Sequence, residues 1–167
     1  MPTTQLFPDT TSFRSVNFPQ RFIRHRNFLG EIEPVGSDLD RHDASFITIP
    51  GLAEGSPAVS WESVNFKNHF LRHQDFRLKL QPRPPEGSPD QRLFDLDATF
   101  FILPGNADNI HSENPREAIR SFRSRNFNTR FLRHRDFHIF LDELNPSSDL
   151  DRMDSTFVIQ DGFAPTN

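Results

Sequence analysis

Three histidines of this chain stand in one recurring motif, and each is followed by a recurring aspartate. The motif reads Arg24-His25-Arg26-Asn27-Phe28, Arg72-His73-Gln74-Asp75-Phe76 and Arg133-His134-Arg135-Asp136-Phe137. The aspartates open Asp43-Ala44-Ser45-Phe46, Asp97-Ala98-Thr99-Phe100 and Asp154-Ser155-Thr156-Phe157. If the repeats fold alike, His25 meets Asp43, His73 meets Asp97 and His134 meets Asp154. An aspartate offers two acceptor oxygens, and a neutral imidazole one donor and one acceptor. Together they can grip vicinal hydroxyls of a sugar while a nearby Phe faces the apolar C–H side of its ring. The other reading is an internal His–Asp hydrogen bond that pins two strands. The residues alone leave both open.

Other chemistries fit these residues less well. A glycosidase needs two carboxylates flanking one bond. Asp75 and Asp136 follow the motif His in two repeats, but Asn27 stands there in the first, so no pair recurs. His69 and His73 are four apart, as are His134 and His138. That spacing serves zinc on a helix. On a strand it separates the rings by about 13 Å. No Cys joins them, so no metal site and no cofactor are expected. The Gly-x-Ser-x-Gly turn of serine hydrolases is absent. No catalytic residue is assigned.

The elements that position these groups follow from the repeat. Upstream of each motif stands Ser12-Phe13-Arg14-Ser15-Val16-Asn17-Phe18, Ser60-Trp61-Glu62-Ser63-Val64-Asn65-Phe66 or Ser121-Phe122-Arg123-Ser124-Arg125-Asn126-Phe127. The repeats lie near 11–53, 58–107 and 119–163, within one expected domain over 1–167 with short tails. A Pro-rich insertion, Pro82 to Pro89, and a polar connector, Asp108 to Ala118, lengthen the later spacing. Helical periodicity is poor, whereas Phe76, Leu78 and Leu80 alternate with Arg77 and Lys79. Phe137, Ile139 and Leu141 alternate likewise. The first repeat supports strands at 13–15, 22–25, 28–32 and 45–49. The fold expected is all-β, a β-trefoil of three repeats with about four short strands each. A solenoid wants more repeats, and a propeller usually more blades.

Composition narrows the partners. The chain has 167 residues and a net charge of −4, so no nucleic-acid partner is expected. The basic runs 21–26 and 130–135 are balanced by acidic turns, Ser37 to Arg41 and Ser148 to Arg152. No apolar run approaches about 18 residues, so no membrane span is expected. Without Cys, no disulfide can form. Aromatic usage is lopsided, with 19 Phe, one Trp and no Tyr. Most Phe recur at matching positions, which marks them as core first. Met1 to Gln5 shows no signal peptide.

On these residues the chain resembles the arabinose-binding domain of α-L-arabinofuranosidase B enzymes, carbohydrate-binding module family 42. The resemblance rests on the Ser-Phe-x-Ser-Val-Asn-Phe, Arg-His-Arg-(Asn/Asp)-Phe and Asp-Ala-Thr-Phe stretches, and it covers nearly the whole chain. It implies a β-trefoil. It also implies non-catalytic, lectin-like binding of arabinofuranose side chains of arabinoxylan and arabinan. One pocket per repeat would be built on His25 with Asp43, His73 with Asp97 and His134 with Asp154. It implies no hydrolase activity, because the family's catalytic domain is absent from the matched region. That family is usually extracellular, and with no signal peptide visible the sequence assigns no compartment. The family's Pro-Gly turn is Pro19-Gln20, Lys67-Asn68 and Asn128-Thr129 here. Phe18, Phe22, Phe66, Phe70, Phe127 and Phe131 stand where the family often has Tyr, and Gln74 replaces an Arg. A sugar or polysaccharide is therefore the expected partner. The alternatives are a protein-interaction scaffold with a protein partner, or an unusual small-molecule enzyme reusing a pocket.

Overall fold

The structure is a computed structural model that describes residues 9–166. The first repeat forms β1 (Thr11–Ser15), β2 (Phe22–Arg26), β3 (Leu29–Glu33), α1 (Asp38–Asp43) and β4 (Phe46–Pro50). The second forms β5 (Val59–Ser63), β6 (His69–Gln74), β7 (Arg77–Pro82), α2 (Gln91–Asp97) and β8 (Phe100–Pro104). The third forms β9 (Ala118–Ser124), β10 (Arg130–Arg135), β11 (His138–Glu143), α3 (Asp149–Asp154) and β12 (Phe157–Asp161). Four strands per repeat match the period-two pattern.

The second and third strands of each repeat make a hairpin with a two-residue loop. Arg26 pairs with Leu29, Gln74 with Arg77 and Arg135 with His138. Both loop residues have positive φ in all three: 53° and 61° at Asn27-Phe28, 54° and 60° at Asp75-Phe76, 51° and 64° at Asp136-Phe137. That conformation matches the right-handed twist of the strands and normally selects Asn-Gly. Here the second position is Phe each time. The hairpins interlock in a ring through the same residues. Phe28 O accepts from Leu80 N at 2.9 Å, Phe76 O from Leu141 N at 2.8 Å and Phe137 O from Ile32 N at 2.8 Å.

The remaining strands pair across repeat boundaries: β4 with β5, β8 with β9, and β12 with β1. All twelve strands thereby join one sheet. The expected β-trefoil is corrected to a closed all-β barrel. A sequence repeat shows which segments are alike and not which edges pair. Each repeat has unpaired edges that it satisfies on its neighbours, and closure removes them.

The core lies inside the sheet. Phe13, Trp61 and Phe122, equivalent in the three repeats, meet edge-to-face with centroids 5.2, 5.4 and 5.0 Å apart. Phe46, Phe100 and Phe157 are fully buried beside them. Below, Ile23, Leu71 and Leu132 stack with Ile32, Leu80 and Leu141. Other Phe are not core: Phe18, Phe28, Phe66, Phe76 and Phe127 are about two-fifths exposed.

Each repeat also carries a helix of six or seven residues that the strand count omitted. The acidic segments expected as turns begin two of them. Ser37 caps α1, accepting from Asp40 N, while the Asp40 carboxylate accepts from Ser37 N at 3.1 Å. This reciprocal capping box satisfies backbone donors that a helix start leaves free. Ser148 caps α3 by accepting from Asp151 N at 3.1 Å. The helices matter because each ends on the recurring aspartate.

Candidate functional site

The strand and helix registers bring the paired residues together. His25, His73 and His134 point inward from β2, β6 and β10, and all are buried. Their nitrogens approach Asp43, Asp97 and Asp154 at 3.4, 3.7 and 3.6 Å. These are approaches rather than hydrogen bonds. An asparagine from another repeat closes each gap. Asn65 donates to Asp43 Oδ1 at 2.7 Å, Asn126 to Asp97 Oδ1 at 2.8 Å and Asn17 to Asp154 Oδ1 at 2.8 Å. The same asparagines face the His Nε2 with Oδ1 at 3.0, 2.9 and 3.0 Å. An imidazole N–H donating to that oxygen suits the geometry.

A serine locks each asparagine. Ser63, Ser124 and Ser15 donate to the Asn Oδ1 at 2.8, 3.0 and 3.1 Å. Their Oγ atoms accept the backbone N–H of Phe66, Phe127 and Phe18 at 3.1 Å. The Ser-x-Asn-Phe stretch is thus one tight turn that aims its amide at the next site. An arginine holds the other side of each carboxylate. Arg24 donates to Asp43 Oδ2 at 2.5 Å and Arg133 to Asp154 Oδ2 at 2.6 Å, and Arg72 is bonded to Asp97. All three arginines and all three aspartates are buried, so each buried carboxylate has a buried cation as its partner.

Aromatic rings wall each network. Phe28 meets Phe66 edge-to-face at 5.2 Å, Phe76 meets Phe127 at 5.3 Å and Phe137 meets Phe18 at 5.2 Å. Phe66, Phe127 and Phe18 also lie edge-on to the site histidines at 5.4–5.5 Å. Behind the wall, Arg130 lies over Phe76 at 4.0 Å and Arg21 over Phe137 at 3.7 Å. His69 stacks on Phe28 at 6.0 Å, so its partner in the four-residue spacing, His73, serves a different site. At the first junction lies an open hollow of about 410 Å³, lined by His25, Asp43, Phe28 and Phe66 among others.

Burial sets the proton inventory. It is the main influence that pushes all three histidines below their ordinary value of 6.5, and the nearby aspartates oppose it without prevailing. The imidazoles are therefore neutral, each with a donor and an acceptor nitrogen. Asp40 is held well below the carboxylate range, first by the backbone N–H of Ser37, then by that of Gly36 and by Arg24.

The three networks differ around their arginines. Arg24 also reaches Asp40 at 2.6 Å, and Arg133 reaches Asp151 at 3.3 Å. In the second network Phe94 takes that helical position, under the Arg72 guanidinium at 5.0 Å, and Arg72 turns to Gln81 at 2.8 Å. The second site therefore lacks the helical carboxylate of the other two, while in the third Asp142 also approaches Arg133, at 3.8 Å.

Sequence reasoning named the histidines and aspartates but not the arginines, serines and asparagines that join them. All lie in the recurring stretches, so the repeat itself was the signal. Their joint role was hidden because each site takes its Asn from a different repeat than its His.

A family model described as "Alpha-L-arabinofuranosidase B (ABFB) domain" matches residues 11–159. Three solved structures of arabinofuranosidases superpose on 98% of the chain. One, a GH54 α-L-arabinofuranosidase soaked with a cyclic sulfate inhibitor, is 24% identical with a TM-score of 0.77. A mutant GH54 enzyme soaked with 4-nitrophenyl α-L-arabinofuranoside is 25% identical at 0.77. An arabinofuranosidase complexed with arabinofuranosyl-α-1,2-xylobiose is 23% identical at 0.76. The chain spans 33% of the length of each. None of the curated proteins matches it.

Proposed function

Because the chain belongs to the α-L-arabinofuranosidase B (ABFB) domain family, we propose that it is a non-catalytic module that binds arabinofuranose side chains of plant polysaccharides. The observation that carries this reading is the threefold recurrence of one polar network beside a Phe wall. A buried carboxylate with both oxygens already oriented, next to a neutral imidazole, suits hydroxyl groups that both donate and accept. The edge-to-face rings offer an apolar surface to sugar C–H groups. A small pocket of this kind is concave, with few convergent polar groups. His25, Asp43, His73, Asp97, His134 and Asp154 are the proposed contacts, one pair in each pocket. The site carboxylates are committed to the fold, since Asp43, Asp97 and Asp154 each accept from an Arg and an Asn and Asp40 and Asp151 face the same arginines, and this favours binding over glycoside hydrolysis.

Binding of one furanose should be weak, because few ligand atoms are buried. Three rigidly spaced sites raise the apparent affinity for a branched polymer through effective concentration. Titration calorimetry with methyl α-L-arabinofuranoside, arabinoxylan and a xylan lacking arabinose tests the reading. Heat from the first two alone supports it. Equal heat from all three, or none from any, refutes it.

A further inference from the structure

We propose that Leu39, Leu93 and Leu150 form an outer lip at each pocket that receives the sugar unit to which a bound furanose is attached. The inference rests on the saccharide reading above and adds contacts to it.

Each leucine stands four residues before the site aspartate: Leu39 and Asp43, Leu93 and Asp97, Leu150 and Asp154. On a helix, positions four apart lie on the same face, one turn above each other. The leucine thus stands one turn before the aspartate of its own site, on the same helix face. In the first site it lines the same hollow as His25 and Phe28.

Nothing in the fold accounts for these leucines. They are 64%, 59% and 62% exposed, so they contribute little to packing. Yet between the start of each helix and its final aspartate, they alone keep their identity in all three repeats. Asp38 corresponds to Arg92 and Asp149, Asp40 to Phe94 and Asp151, Arg41 to Asp95 and Arg152, and His42 to Leu96 and Met153. The aspartate recurs because Arg and Asn hold it. An exposed leucine that recurs among varying neighbours calls for a contact outside the chain.

Depth decides which contact. His25, His73 and His134 are at most 3% exposed and form the floor. Five of the six site Phe rings are about two-fifths exposed and Phe137 is half-buried, and these form the walls. The leucines are the most exposed. A terminal furanose that fills the floor leaves its glycosidic bond directed outward. The next sugar then meets the leucine with its C–H face, where an aliphatic side chain excludes water without competing for hydroxyls.

The test replaces all three leucines with serine, so that no intact site masks the effect. Wild type and the Leu39→Ser, Leu93→Ser, Leu150→Ser variant are titrated with methyl α-L-arabinofuranoside and with arabinofuranosyl-xylobiose. The variant should melt as the wild type does. It should bind the monosaccharide within about twofold of wild type and the branched oligosaccharide about tenfold more weakly, a difference worth about 1.4 kcal/mol. A variant with methionine at the three positions should restore most of the oligosaccharide affinity, since the lip stays apolar. Equal loss for both ligands, or no loss for either, overturns the lip while leaving the pocket reading intact. A wild type that binds neither ligand overturns the pocket reading and the lip with it.

Discussion

Asn65 of the second repeat donates to Asp43 of the first at 2.7 Å, and this bond ties the two repeats at a candidate binding junction. Asn126 with Asp97 and Asn17 with Asp154 repeat it, so the three junctions run around the whole barrel. No site belongs to one repeat. The elements that close the barrel also complete the proposed pockets.

The first consequence concerns the aspartates. Asp97 neutralises buried Arg72 and orients Asn126. Asp97→Ala leaves an unpaired buried guanidinium, and breaking such a pair costs about 3–5 kcal/mol. Urea denaturation of the variant should show a loss of that size. Loss of sugar binding in this variant alone would therefore not prove contact. A loss below about 1 kcal/mol would contradict the network as described.

The histidines give a pH dependence. Their folded values lie below 6.5, mainly because burial disfavours the charged form. Above 6.5 neither state carries the protons, and the contribution to stability is complete. As pH falls from 6.5 towards the lowered folded values, only the unfolded chain takes up protons, so stability is lost. The slope reaches about 1.4 kcal/mol per pH unit for each histidine. The urea midpoint should fall between about pH 7.5 and about pH 5.5, and less steeply in a His73→Gln variant. A midpoint independent of pH over that range would show that the rings are not held neutral.

The left-handed phenylalanines separate function from stability. Phe28 has φ of 61° and is 46% exposed. A non-Gly residue there is strained by about 1–3 kcal/mol. Phe28→Gly relieves the strain but loses the ring pair with Phe66, worth about 0.5–1.5 kcal/mol, and adds the chain entropy of glycine. The terms offset, so the melting temperature should move little while the first pocket loses its wall and its affinity. A large fall in melting temperature would mean that the ring is structural.

Much of this was legible in the sequence, and the gaps have physical causes. Alternation at Phe76, Leu78 and Leu80 located β7, while Phe28, read as the start of a strand, is the second residue of a hairpin loop. The helices were missed because six or seven residues are too few to display a 3.6-residue period. The legible trace was local: Ser37 followed three residues later by Asp40, a capping box. The architecture was corrected from a β-trefoil to a closed barrel because alternation says which face of a strand is buried, not which edge it meets. The His–Asp proximity was anticipated from spacing within each repeat. The intervening Asn was not, since Asn17 and Asp154 lie at opposite ends of the chain and meet only on closure.

The most direct test of the central claim is a crystal structure of the protein soaked with arabinofuranosyl-xylobiose. The account predicts a furanose with its hydroxyls on the His and Asp of at least one junction, and its C–H face against the local Phe pair. A saccharide bound only elsewhere on the barrel, with the three junctions free of sugar, would contradict it.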